Sequence, residues 1–139
     1  MMVSTTSNSE KFSNIITPML SYKNAASAIE FYQKAFGASE VTRQIDSTGR
    51  VSHAEIRIGN APIMMSDEFP EIGVFSPETV GGSPVMILLE VEDVDSFFET
   101  AVAAGAIVAR PVAGDSLRNG KLVDPFGHRW MILTRKGTP

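Results

Sequence analysis

The chain contains no cysteine and only two histidines, His53 and His128, among its 139 residues. The first absence excludes disulfide scaffolds, thiolate zinc sites, iron–sulfur clusters and cysteine nucleophiles. The second leaves any transition-metal site to carboxylates, carbonyls or thioethers. No apolar run reaches the roughly 18 residues that a membrane-spanning helix needs. Basic residues are the minority, 12 against 16 acidic for a net charge of −4, and they are scattered, so no nucleic-acid groove is expected. Gly-rich phosphate loops, a nucleophile elbow and a His-Glu-x-x-His motif are missing, and Gly81-Gly82 does not join a strand to a helix as a phosphate site requires. Residues 1–12 are polar where a signal peptide needs an apolar stretch. They read as a disordered tail on a cytoplasmic protein with no membrane partner.

What is present is one domain's worth of chain, 13–139, built on an internal repeat. The first copy runs through an apolar strand at 16–22, Asn24, a helix at 25–36 and Gly37-Ala38; the second through a strand at 86–91, Asp93, a helix at 94–104 and Gly105-Ala106. Asn and Asp are preferred N-caps and glycine the preferred helix terminator. Ile29, Tyr32 and Phe36 share one helix face, and Val94, Phe97, Phe98 and Ala101 share the other, so each helix has a stripe to bury against a sheet. Strand-like segments follow each helix, at 40–45, 51–58 and 61–65, then at 106–110, 121–123 and 129–134, with Gly-containing turns between several of them. Thr17 and Met86, Gly37 and Gly105, and Met64 and Met131 are 69, 68 and 67 residues apart. The chain therefore divides into βαβββ module one (13–66), a linker (67–84) and βαβββ module two (85–135). The linker, rich in Pro, Gly and Glu and carrying Phe69 and Phe75, is long for a connection and reads as either a flexible tether or a lid.

The order and spacing of several short motifs resemble the glyoxalase/bleomycin-resistance (vicinal oxygen chelate) superfamily, and more narrowly its PhnB-like branch. They are Thr17-Pro18-Met19-Leu20, Ala25-Ala26, Glu30-Phe31-Tyr32, Phe36-Gly37-Ala38, Met65-Ser66-Asp67-Glu68, Gly81-Gly82-Ser83-Pro84, Val91-Glu92-Asp93-Val94-Asp95 and Asp124-Pro125-Phe126-Gly127-His128-Arg129-Trp130. The resemblance implies an α+β fold in which two βαβββ modules form a cupped mixed sheet with helices outside, and a homodimer. In metal-dependent members, four ligands, usually His and Glu, come from the first and last strand of each module. The corresponding positions here are Thr17, Met64, Met86 and Met131. None is an imidazole or carboxylate, so no metal and no other cofactor is expected.

With those positions fixed, strand alternation places Met19, Met64, Met86, Leu88, Arg129 and Met131 on the cup face. Thioethers suit the gripping of flat or irregular apolar ligands, and they equally fill ordinary sheet interiors. Along 51–58, Ala54, Ile56 and Ile58 suit the helix side while His53, Glu55 and Arg57 face away. His53 and Glu55 are thus candidate catalytic residues if that face is the cup, or part of a solvated charge ladder if it is not. Arg129 either pairs at the cup rim with an anionic ligand or Glu90, or is an ordinary exposed arginine; His128 is expected at the surface or stabilising its turn.

Two functions fit these residues. One is a metal-free small-molecule-binding protein that holds an apolar ligand in the cup, with resistance-type sequestration as one form. The other is an enzyme of lyase, isomerase or dioxygenase type, with an atypical metal or acid–base site around His53 and Glu55.

Overall fold

The structure is a computed structural model that describes residues 14–135. The tail assigned to 1–12 lies outside the described residues. Module one comprises strand β1 (Met19–Tyr22), helix α1 (Ala25–Phe36) and strands β2 (Ser39–Ile45), β3 (Val51–Ile58) and β4 (Ala61–Asp67). Module two comprises β5 (Met86–Glu90), α3 (Val94–Ala104), β6 (Ile107–Ala113), β7 (Leu117–Val123) and β8 (Arg129–Arg135), with a short helix α2 (Pro77–Val80) between the modules.

The helices start and stop where the local chemistry requires. Asn24 Oδ1 accepts from the Ser27 amide at 3.0 Å, and Asp93 Oδ1 from Ser96 at 3.3 Å, each satisfying one amide that the helix itself cannot. Gly37 and Gly105 end them at positive φ. The alternating stripe of β3 is realised as read: Ala54, Ile56 and Ile58 are buried, while His53 and Glu55 are half-buried and Arg57 is exposed. On the other strands Met65, Trp130 and Ile132 turn to the helices and are buried.

Each module forms its own four-stranded sheet, β1-β4-β3-β2 and β5-β8-β7-β6, with the first and last strands parallel and the remaining pairs antiparallel. The α+β class and the paired βαβββ plan are those expected. The mixed sheet is contributed in two halves, one four-stranded sheet from each module, with β1 and β5 as edge strands that exchange no ladder bonds.

The modules are joined on the helix side by aromatic packing. Phe36 of α1 meets Trp130 of β8 at 4.8 Å between ring centroids and stacks on Phe97 of α3 at 5.5 Å; Tyr32 meets Trp130 at 5.6 Å. Close approach of α3 to its sheet depends on Gly120, where a Cβ would lie 2.6 Å from the Phe98 ring and 3.0 Å from Val112. Residues 67–84, expected to be a loose tether or lid, are largely folded. Phe69 and Val74 form a bridge around a 3-10 turn, and Ser76 caps α2 with Pro77 at its first position.

Candidate functional site

At the seam between β1 and β5 the sheets leave a groove of about 610 Å³. Its floor carries Met19 and Ser21 from β1, Met86 from β5 and Arg129 from β8; Phe75, Val80, Pro84 and Val85 of the connecting strap form the opposite wall. A second groove of about 550 Å³ lies on module one beneath the 69–75 turn and shares Met19, Ser21 and Phe75 with the first, adding Ser52 and Ser66. Such volumes lie within the range of small-molecule sites. The lining of the larger groove contains no carboxylate.

The strap is held in place by particular bonds. Glu68 accepts from the Ser76 amide at 2.8 Å, the Ser76 hydroxyl at 2.5 Å and the Thr79 hydroxyl. Those donors, the Ser76 hydroxyl first, hold its carboxyl below the usual glutamate range. Arg50 reaches across from module one to Glu71 at 2.8 Å and lies 4.0 Å over the Phe69 ring. Gly127 lets Pro77 pack on the β7–β8 turn: a Cβ there would fall 2.8 Å from the proline, and its φ of 94° is already the glycine region.

Beneath the seam a buried polar network ties the modules together. Asp124 accepts from Tyr32 Oη at 2.5 Å, from Trp130 Nε1 at 3.0 Å, and from the Phe126 and His128 amides at 3.0 Å each. Tyr22 and Tyr32 share a hydroxyl hydrogen bond of 2.7 Å. Burial raises both phenols well above the ordinary tyrosine range, and the Asp124 carboxylate pushes them the same way. Of the two positions expected for His128, the surface one is corrected by its burial, while its backbone bonds to Asp124 stabilise the turn. Its Nε2 lies 3.0 Å from the Ser21 carbonyl, which can only accept, so Nε2 carries a proton. A turn residue of module two thereby clamps the strand that floors the groove.

The structure brings Met19, Met86 and Arg129 together in the larger groove. Met64 sits opposite Met19 in register, and Leu88 opposite Met131, all on the same faces but outside the groove lining. Leu88 is 62% and Met19 52% exposed. His53 and Glu55 line neither of the two grooves. Glu55 stands between Met64 and Thr42 in the ladder and is ion-paired with Arg57 at 2.8 Å. Glu90 pairs with Arg135 at 3.4 Å, not with Arg129. Residue patterning missed the walls supplied by Val80 and Val85 and the Glu68 anchor. The Ser76-Pro77-Glu78 run, a capping residue followed by proline, was the available signal for α2.

One hydroxyl and three thioethers, at Thr17, Met64, Met86 and Met131, do not suit the hard or borderline divalent ions bound by oxygen and nitrogen ligands. Among the described residues no three His, Asp or Glu side chains gather to hold a metal ion, and no helix is long and apolar enough to cross a membrane.

Comparison with known proteins agrees with this architecture. The uncharacterized protein Rv0887c of Mycobacterium tuberculosis is 40% identical over 124 residues, covering 84% of this chain and 72% of that protein. The PhnB protein of Bacillus cereus superposes with a TM-score of 0.66 at 21% identity, over 87% of this chain and 99% of that one. The fosfomycin resistance protein FosX of Mesorhizobium loti does so at 0.65 and 17% identity, over 91% and 94%. At those identities the two structures share the fold alone. The profile of the Glyoxalase/Bleomycin resistance protein/Dioxygenase superfamily matches residues 14–132, and the chain belongs to that superfamily.

Proposed function

We propose that this chain is a metal-free binding member of the superfamily, holding a small apolar molecule in the groove between β1 and β5. The observation that carries the reading is the groove itself, floored by Met19 and Met86 and walled by Phe75, Val80 and Val85 without a carboxylate. Flexible thioethers and a phenyl ring adapt to an irregular apolar body, and burying that body supplies the affinity. Met64, Leu88 and Met131 extend the apolar face beyond the groove and are assigned to the same ligand surface. FosX bears the name of a fosfomycin resistance protein, and sequestration of a toxic compound in the cytoplasm is the form of binding put forward. A homodimer is part of this proposal. Val41 and Ile45 on β2 and Ile107 and Val108 on β6 are exposed along the outer strands, where a second copy would cover them.

The test is a titration with N-phenyl-1-naphthylamine, a neutral dye that fluoresces in apolar sites. Met86→Glu should weaken binding about tenfold or more, because an unpaired carboxylate in the groove must be desolvated or protonated. Met65→Glu should impair folding instead, since that side chain is fully buried against the helices. His53→Ala should leave binding intact. Unchanged affinity in Met86→Glu, with loss in His53→Ala, would move the site to β3 and refute the proposal.

A further inference from the structure

Of the seven arginines, five are ion-paired: Arg43 with Glu40, Arg50 with Glu71, Arg57 with Glu55, Arg118 with Asp95 and Arg135 with Glu90. Arg110 is hydrogen-bonded to the Asn119 side chain. Arg129 is the exception: half-buried on the groove floor, it has no hydrogen bond or ion pair from its guanidinium among the described residues. A guanidinium taken partly out of water without an acceptor is unfavourable, and five rigid donors remain unused. In a chain with four more acidic than basic residues, carboxylates are not scarce, yet none lines this groove.

The surroundings extend the pattern. In the ladder Met86 stands beside Arg129, and Val123 beside it on β7; Lys121, two residues back along β7, shares the same face about 7 Å away on the diagonal. Lys121 is half-buried and likewise without an ion pair among the described residues. The Ser21 hydroxyl, also on the floor, is a further donor with no hydrogen-bond partner among the described residues. The groove lining thus carries an unpaired guanidinium and an unpartnered hydroxyl among its apolar side chains, with Lys121 just outside the lining on the same sheet face as Arg129.

We infer that the ligand is an amphipathic organic anion, with a carboxylate, sulfonate or phosphonate group bound by Arg129 and its apolar body over Met86 and Met19. This rests on the proposed binding role of the groove and names the chemical class of its occupant. Arg129 presents a planar fork that matches the oxygens of such a group. Because Arg129 is only partly screened by solvent, the anion preference should shrink in high salt without vanishing.

The test compares two probes of one skeleton: 8-anilinonaphthalene-1-sulfonate, which is anionic, and the neutral N-phenyl-1-naphthylamine. The parent should bind the sulfonate about tenfold more tightly, the smaller end of what a charged hydrogen bond contributes. Arg129→Gln should abolish that preference by weakening the sulfonate about tenfold relative to the neutral probe, while Arg129→Lys should retain part of it. Equal binding of both probes by the parent overturns the anion inference and leaves the groove reading standing. A preference that survives in Arg129→Gln places the anion elsewhere and also overturns it. Loss of both probes in Arg129→Gln assigns the arginine a structural role and refutes the inference. If the parent binds neither probe, the groove reading falls, and this inference with it.

Discussion

Replacing Asp124 with alanine tests whether the modules are joined as described. Its carboxylate accepts four hydrogen bonds, but not all become orphans when it is removed. Tyr32 retains the Tyr22 hydroxyl as a partner, and the Phe126 amide belongs to a half-buried residue that water can reach. Trp130 Nε1 and the His128 amide remain, both on buried residues. At about 1–3 kcal/mol for each of these two unsatisfied buried donors, the expected loss is about 2–6 kcal/mol. Asp124→Asn keeps one carbonyl oxygen for the two amides and presents an NH₂ to Trp130, which can only donate; it should cost about 1–2 kcal/mol. Urea unfolding followed by fluorescence reads both directly, since Trp130 is the only tryptophan and is itself in the network. The midpoint should fall while the slope is kept. The reasoning is refuted if Asp124→Ala stays within about 1 kcal/mol of the parent, a size ordinary surface changes approach, or if Asp124→Asn is as damaging as alanine.

Two further outcomes follow from the same geometry. Gly127→Ala forces a Cβ to 2.8 Å from Pro77 at a φ of 94°, so it should destabilise by about 1–3 kcal/mol and speed proteolytic cutting between α2 and β5; unchanged cutting would show that the strap does not depend on this contact. The chain's two tyrosines are both buried with raised pKa, so the folded protein holds them neutral. Phenolate absorbance should stay absent through the ordinary tyrosine value of about 10 and appear only on alkaline unfolding. The sign follows from linkage: the unfolded chain loses these protons first, so stability declines as pH rises past that value. A phenolate signal from still-folded protein near that pH would contradict the buried network.

Much of this fold is written in local pattern. The matched spacing of Gly37 and Gly105, the Asn24 and Asp93 caps and the alternation from Val51 to Ile58 are all short-range signals, and the helices and β3 follow them without adjustment. The strand parity of Met19, Met64, Met86 and Met131, opposite to that of buried Met65, was legible for the same reason, because alternation needs only one fixed point per strand. What was not legible depends on contacts between distant residues. Tyr32 meets Asp124 across 92 positions, and His128 meets Ser21 across 107; no local rule relates those pairs. The aromatic packing that joins the modules, Phe36 on Phe97 and Trp130, likewise brings together residues far apart in the chain. The local structure of the strap was not legible because its Pro and Gly residues suggest looseness, whereas Pro77 starts α2 and packs against Gly127. Which cup-face residues line the groove is decided by that strap, so Met19 and Met86 are included while Met64 and Met131 are not.

The central claim, that the seam between β1 and β5 is the ligand site, is tested most directly by a crystal structure with N-phenyl-1-naphthylamine bound. The account predicts density for the dye on the groove floor, against Met19 and Met86 with Phe75 on the facing wall. Density instead beside His53 and Glu55, or a groove left empty while the dye binds elsewhere, would contradict it.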